Sequence, residues 1–427
     1  MFSSRQKQLI ESYLFMGSPL DLASAGGYLH GLLSGIDSVG ASEYSKLSSL
    51  LEEIVESLVP SSNASEIVIP LTAGLDSRGI LGACLEVFGP SRIRCFTYGN
   101  PKHRDVIAAK EVCSRNHVDW QNVDLNGIQW SVPEMIDIAQ EVRLRTGALC
   151  ACGVVRRSHI ESLYSPESVI LTGFFGGSIS EDMVPIVGEE DAEAAAKAFL
   201  HSNAVGINGL SISEETLEGA LTQFVKKWSS RVREYPGLAL GDILNFPFRQ
   251  AMNIKGSVCY FRNSVSPYED SRWVAFWASR ALKNRQGRSF YRASLRSEYK
   301  KVFCLDSDLG GSKGKRRRFS FAKLGMGALG ALRPKGNDSI DFAKDMKGDI
   351  RANESMRAVL SELCDSFYNR DVLNNPELNG LVPKVLSRPS RRTWRIIDRI
   401  SKAELHLRAG TLLPAKQESE VSVGAVS

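Results

Sequence analysis

Residues 67–78, IVIPLTAGLDSR, constrain this chain more than any other stretch, because an apolar run breaks into a small-residue turn and then into an apolar-periodic helix. After the turn, Ile80, Leu81, Cys84, Leu85 and Phe88 recur at helical spacing, and Gly89-Pro90 supplies the stop expected of a helix C-terminus. The turn therefore sits at a helix N-terminus, where the first backbone N–H groups lack intrahelical partners and carry partial positive charge. An anion binds at such an end, and Ala73 and Gly74 let the backbone approach it closely. Thr72 and Ser77 add hydroxyl donors. Asp76 puts a carboxylate beside the anion, an arrangement that makes sense when magnesium takes oxygen ligands from both. The same residues also fit a ligand-free corner in which Gly74 makes the turn and Asp76 caps the helix.

Downstream patterning supports a phosphate-binding corner. Residues 93–99 read as a second strand ending in glycine, 104–116 as a helix with Val106, Ala109, Val112 and Cys113 on its apolar side, 117–123 as a third strand, and 168–173 as another strand ending in glycine. Strands alternating with helices predict an α/β fold with a parallel sheet, in which ligands bind beyond the carboxyl ends of the strands. The 72–78 loop and the Tyr98-Gly99 pair both fall at such ends.

The string PLTAGLDSR at 70–78 resembles the SGGLDSS loop of the asparagine synthetase class of ATP pyrophosphatases, with Thr72 for Ser and Ala73 for Gly. SVILTG at 168–173, followed by FFGGS at 174–178, is similar to that family's second phosphate-facing segment, a strand leading into a Gly-rich loop with an Asp-Glu pair. Here Gly177 and Ser178 stand where those carboxylates would be, and Glu181 and Asp182 follow a few residues later. SPYEDSR at 266–272 resembles the family's PFLD segment, with Asp270 the matching residue and with Asn263 and Val265 replacing the Glu and Arg that usually precede it. The three segments occur in family order.

The resemblance implies an ATP-pyrophosphatase (adenine nucleotide alpha hydrolase-like) core with a largely helical C-terminal portion. It divides the chain into a helical N-terminal segment over 1–60, the ATP-binding domain over 61–414 and a disordered tail over 415–427. It implies ATP and Mg2+ as cofactors: Thr72, Ala73, Gly74 and Ser77 cradling phosphate, Asp76 holding the metal, and Tyr98, Gly99 and Gly173 lining the nucleotide pocket. Asp270 takes the matching catalytic position. Lys313 or Lys315, in the basic run 313–318, meets negative charge as it develops, where a preplaced cation is most effective; the same run also reads as a solvated charge block or a patch for an anionic partner. The implied activity is adenylation of a small-molecule or peptide carboxylate followed by amide formation. Glutamine-dependent members begin with a nucleophilic cysteine and an amide-hydrolysing domain, whereas this sequence opens Met1-Phe2-Ser3. The expected nitrogen source is therefore ammonia, a substrate amine or a separate glutaminase subunit.

Composition fits a soluble globular protein, with 43% hydrophobic and 24% charged residues over a 427-residue chain. A net charge of +5 is too modest to point to nucleic acid, although Arg392, Arg395 and Arg399 share one helical face that suits an acidic partner. Two other classes stay open: a catalytically degenerate nucleotide- or partner-binding protein, and a tRNA-modifying adenylase. No membrane partner is expected, because the apolar run 324–332 falls far short of the roughly 20 residues a span needs. The absence of an apolar leader and the scattered cysteines make the cytoplasm the expected compartment. Cys150-Ala-Cys152 has the wrong spacing for a redox or zinc pair and reads as two helix-borne core thiols. Residues 44–58 predict an amphipathic helix, Trp273, Phe276 and Trp277 read as packing, and 8–17 with the Ser/Gly-rich 24–40 read as a connector.

Overall fold

The computed structural model describes residues 2–40, 46–59, 66–99, 101–123, 128–180, 191–205, 207, 210–303, 353–370 and 391–412, with 391–394 as backbone only. At its centre is an all-parallel sheet of five strands in the order β3-β2-β1-β4-β5. These are β1 (Ile67–Pro70), β2 (Ile93–Tyr98), β3 (Asp119–Val123), β4 (Val169–Leu171) and β5 (Ser264–Val265). Register is fixed by the pairings Ile67↔Ile93 and Ile67↔Val169, so β1 is hydrogen-bonded on both edges.

Both sheet faces are covered, which explains why β1 is continuously apolar rather than alternating. Ile67 and Ile69 of β1, Cys95 of β2 and Leu171 of β4 belong to one core. Val68, Phe96 and Ile170 from the same strands belong to a second. The first core is closed by α4 (Leu75–Phe88) and α5 (Arg104–Arg115), and beyond them by α2 (Leu22–Val39), α3 (Leu47–Leu58), α10 (Glu214–Val232) and α11 (Ser271–Ala278). The second is closed by α1 (Ser4–Met16), α6 (Val132–Thr146), α13 (Glu354–Tyr368) and α14 (Arg391–Arg408). The remaining labelled helices are α7 (Arg156–Glu161), α8 (Gly176–Ser180), α9 (Ala192–Asn203) and α12 (Ser289–Glu298).

Where the structure departs from the sequence expectation, a tertiary contact is the reason. Residues 24–40 are no connector: Asp21 caps α2 by accepting from Ser24 N at 3.2 Å, and Ala25, Leu29, Leu33 and Ile36 bury one face. Burial of that stripe overrides the poor helix propensity of Gly26, Gly27, Gly31 and Gly35. Residues 8–17 are likewise mostly helix, begun by a Ser3/Gln6 capping box and ended by Gly17 at φ 81°. Cys150 and Cys152 are core thiols, but Cys150 is not helix-borne and Cys152 only begins a 3₁₀ turn. Leu149 N is drawn to Met252 O at 2.8 Å and Cys150 N to His406 Nε2 at 3.1 Å, which holds this stretch extended up to the 3₁₀ turn Cys152–Val155. His117 takes φ 57° and delays the third strand until Asp119. Trp273, Phe276 and Trp277 are fully buried as packing. Among the described residues no helix is long and apolar enough to cross a membrane, and all seven cysteines are buried and unbridged.

Candidate functional site

From β1 the chain turns one way into β2 and β3, then crosses back to β4 on the other side. The reversal lies between β1 and β4. A reversal of this kind is where a crevice forms at the carboxyl edge of an open α/β sheet, and here the loops leaving β1 and β4 meet at that edge. The loop after β1 is anchored from below: Leu71 N donates to Phe96 O at 2.8 Å, Thr97 Oγ1 donates to Leu71 O at 2.8 Å, and Trp120 Nε1 donates to Thr97 Oγ1 at 3.1 Å. Thr72 therefore leaves the sheet from a fixed point.

Three successive loop N–H groups have side-chain acceptors. Thr72 N donates to Ser77 Oγ at 3.2 Å, Ala73 N to Asp105 Oδ1 at 3.0 Å, and Gly74 N to Thr72 Oγ1 at 3.0 Å. Gly74 is the exposed N-cap of α4 and has no side chain with which to cap it. Asp76 lies in the first turn of α4 rather than at its cap, so the capping reading of that residue does not describe the observed geometry.

The loop after β4 meets this helix end directly. A Cβ on Gly173 would stand 3.1 Å from Asp76 Cβ and 3.4 Å from Ser77 N; one on Gly176 would stand 2.7 Å from the Tyr268 ring and 2.8 Å from Asp76 Oδ1. Only glycine permits that approach without displacement. Beyond it, Asp76 forms an ion pair with Arg288, whose guanidinium also lies 4.9 Å from the Tyr291 ring centroid. Tyr268 Oη donates to the Asp76 carbonyl at 2.7 Å and accepts from Tyr291 Oη at 3.1 Å. Desolvation first, and the Asp76 charge second, push the Tyr268 hydroxyl well above its ordinary range; Tyr291 is raised by burial first and Tyr268 second. Both remain neutral donors.

The structure thus brings Thr72, Ala73, Gly74, Asp76, Ser77 and Gly173 together at one crevice. Tyr98 and Gly99 end β2 to one side: the Tyr98 ring packs 6.4 Å from Phe96 and faces the Arg156 guanidinium at 5.5 Å, while Gly99 takes φ +126° and accepts from Asn122 Nδ2 at 3.4 Å. Asp270 is the N-cap of α11, accepts from Arg272 N at 2.9 Å and pairs with the Arg272 guanidinium at 2.9 Å. The residue of its segment that reaches the loop is Tyr268. Lys313, Lys315, Glu181 and Asp182 lie outside the described residues.

Sequence reasoning missed Asp105, Tyr268 and Arg288. Asp105 carried a local signal, an acid in the first turn of a helix that follows a strand end. Arg288 carried none, since it is 212 positions from its partner. No family model matches the chain, and neither does any curated protein.

Proposed function

We propose that the chain is an asparagine synthetase-like ATP pyrophosphatase that adenylates a carboxylate and passes the acyl group to an amine or ammonia. The observation that supports this reading most is the convergence of the 72–77 loop and the 173–176 loop at the β1/β4 reversal. There the β4 loop lies against the N-terminus of α4, next to three successive loop N–H groups held by side-chain oxygens. A carboxylate is a poor electrophile; its oxygen attacks the α-phosphorus of ATP, pyrophosphate departs, and the acyl carbon gains AMP as a leaving group. The amine nitrogen then bonds to that carbon, AMP leaves with the electron pair, and the nitrogen sheds a proton.

In this scheme the N–H groups of Thr72, Ala73 and Gly74 exchange Ser77, Asp105 and Thr72 oxygens for phosphate oxygens. Arg288, held 12% exposed beside Asp76, supplies positive charge to the same phosphates. Asp76 already has a cation in that guanidinium, and no group of three or more His, Cys, Asp or Glu among the described residues is placed to hold a metal. Asp76 would hold magnesium only by exchanging Arg288 for the metal. Magnesium enters the proposal only as the ion that accompanies ATP, and no step is routed through it.

A second reading, a nucleotide-binding protein without turnover, draws on one observation. A Cβ at Gly177 would stand 3.6 Å from Asp76 Oδ2 and 3.7 Å from Arg288 Nη1, the place where the family resemblance puts a carboxylate and this chain has none. ATP–pyrophosphate exchange over a panel of carboxylic acids separates the two. Exchange with one acid supports the ligase, and saturable ATP binding without exchange supports the second reading. Absence of ATP binding overturns both.

A further inference from the structure

The arginine face of α14 takes part in no step of the scheme above, and its members are not alike. Arg399 is accounted for by the fold. Its Nη1 donates to the carbonyls of Leu14, at 2.7 Å, and of Phe15, and its Nη2 to that of Asn203, so one guanidinium serves the carbonyl ends of both α1 and α9. The π-helix Asn245–Ile254 reaches the same place. A Cβ on Gly17, the left-handed residue that ends α1, would lie 3.2 Å from Arg399 Nη2 and 3.5 Å from Asn253 Nδ2. Asn253 and Arg399 thus meet over one glycine, and about one turn back along each helix stand Arg249 and Arg395.

Arg249 has no role of the kind that explains Arg399. It is half-buried, and among the described residues its guanidinium has neither a hydrogen-bond nor an ion-pair partner. The charge that acts on it is another cation. Burial first and the Arg395 charge second hold its pKa below the ordinary arginine value, with no carboxylate opposing them, and the same Arg395 charge acts on Arg399. Withdrawing a guanidinium from water costs free energy unless an anion offsets it, and a second guanidinium nearby adds repulsion. The fold therefore keeps a cation at Arg249 for which the described part of the chain supplies no counter-charge.

We propose that Arg249 and Arg395, with Asn253 Nδ2 as a neutral donor at the edge, form a binding site for a phosphate dianion between the π-helix and α14. Each guanidinium presents paired N–H donors that match two oxygens of an oxyanion, and the two positive charges together match the charge of about −2 that phosphate carries near neutral pH. A carboxylate monoanion neutralises only one of them. The occupant is the free ion or the phosphate monoester of a small metabolite, which offer the arginines the same group. The site stands apart from the crevice and does not rest on the ligase reading.

The probe is inorganic phosphate, titrated calorimetrically at neutral pH and low ionic strength, with acetate and glycerol 3-phosphate in parallel. Titrations use the full chain and its Gly74→Val variant, in which anion approach to the crevice loop is blocked, so that phosphate bound by the variant belongs to the arginine site. Saturable phosphate binding to Gly74→Val is expected, with acetate at least about tenfold weaker at matched ionic strength. Adding Arg249→Gln should weaken phosphate at least about tenfold. In phosphate-free buffer Arg249→Gln alone should melt no lower than the parent, because it removes an uncompensated charge, whereas loss of a structural arginine lowers the melting temperature. Tighter binding of glycerol 3-phosphate than of phosphate identifies a metabolite as the source, and the reverse identifies the free ion. No saturable phosphate binding, equal affinity for acetate, unaltered affinity after Arg249→Gln, or a lower melting temperature in Arg249→Gln overturns the proposal. If Gly74→Val does not fold, the number of phosphate sites decides: Arg249→Gln should lose one relative to the parent, and an equal number overturns the proposal.

Discussion

Two polar neighbourhoods of this chain are equally well bonded and differ in what their partners can be exchanged for. In the α13/α14 layer, the Glu404 carboxylate is fully buried and accepts from Ser366 Oγ at 2.7 Å, Arg370 Nε at 2.5 Å and Arg408 Nε at 3.0 Å. Two residues on, His406 is fully buried, accepts from Cys150 N and lies 2.6 Å from Thr411 Oγ1. At the β1/β4 crevice, Asp76 and Thr72 are only half-buried, Gly74 is exposed, and the loop N–H groups are met by side chains that can rotate away. The first neighbourhood is sealed from solvent; the second is partly open to it, as the proposed phosphate site requires. Satisfied hydrogen bonds alone do not tell the two apart; access to solvent does.

The sharpest way to break that contrast is Gly74→Val. The backbone there is extended at φ −67° and a Cβ meets only Thr72 Oγ1, at 3.0 Å, so the fold should survive while anion approach is blocked. ATP affinity should fall by at least about 100-fold, near 2.7 kcal/mol, with melting temperature nearly unchanged. Equal ATP affinity in the folded variant would falsify the crevice assignment.

The structural neighbourhood should answer to pH instead. Desolvation lowers the His406 pKa from 6.5 to about 4, opposed by the hydrogen bond with Cys150 and aided to a lesser degree by the charges of Lys402 and Arg143. The folded state therefore stays neutral at this site where the unfolded chain takes up a proton. Its stability contribution is complete above pH 6.5 and is lost as pH falls from there towards 4, by on the order of 2 to 3 kcal/mol at the lower limit. Thermal melts across that window should show a shallower decline in His406→Asn than in the parent. Parallel curves would assign the acid sensitivity to other groups.

Smaller effects sharpen the crevice itself. Asp76→Asn keeps an oxygen for Arg288 and removes the charge. ATP affinity should change by about tenfold or less, with the magnesium dependence of binding reduced if the carboxylate ever leaves Arg288 for the metal. Asp105→Asn tests the swap of acceptors at Ala73. Its carboxylate holds the N–H that a phosphate needs and repels the incoming charge, so its loss should tighten ATP by a few-fold, on the order of 0.5 to 1 kcal/mol. Weaker binding in this variant would mean that Asp105 orders the loop more than it competes for it.

How much of this was legible from the sequence follows the range of the interaction. β1, the 72–77 turn, α4 and α5 declared themselves within a residue or two, because apolar period and turn chemistry are local. The five-residue α8 and the two-residue β5 carried no period to read. The 24–40 segment was misread because glycine content outweighed a four-residue apolar stripe whose value comes only from α11 and the core beneath it. The crevice was legible on its β1 side and not on its far wall, since Tyr268 and Arg288 arrive from another part of the chain. Arg399 shows the same limit. Its spacing on α14 suits an acidic partner, yet Nη1 donates to Leu14 O at 2.7 Å, at the C-terminal end of α1 where carbonyls lack helical partners.

The buried cysteines carry a practical consequence. Burial raises Cys150, Cys152 and Cys259 to about 12, so almost no thiolate exists at these sites while the chain is folded. Cys84, Cys95 and Cys113 lie in the core of the first sheet face, and Cys150, Cys152 and Cys364 in that of the second. Alkylation by a small thiol reagent therefore reads out opening of the two layers separately, without any introduced label. Mass spectrometry of the modified peptides after a timed pulse would show whether ATP closes the layer carrying Cys84 while leaving that of Cys364 untouched.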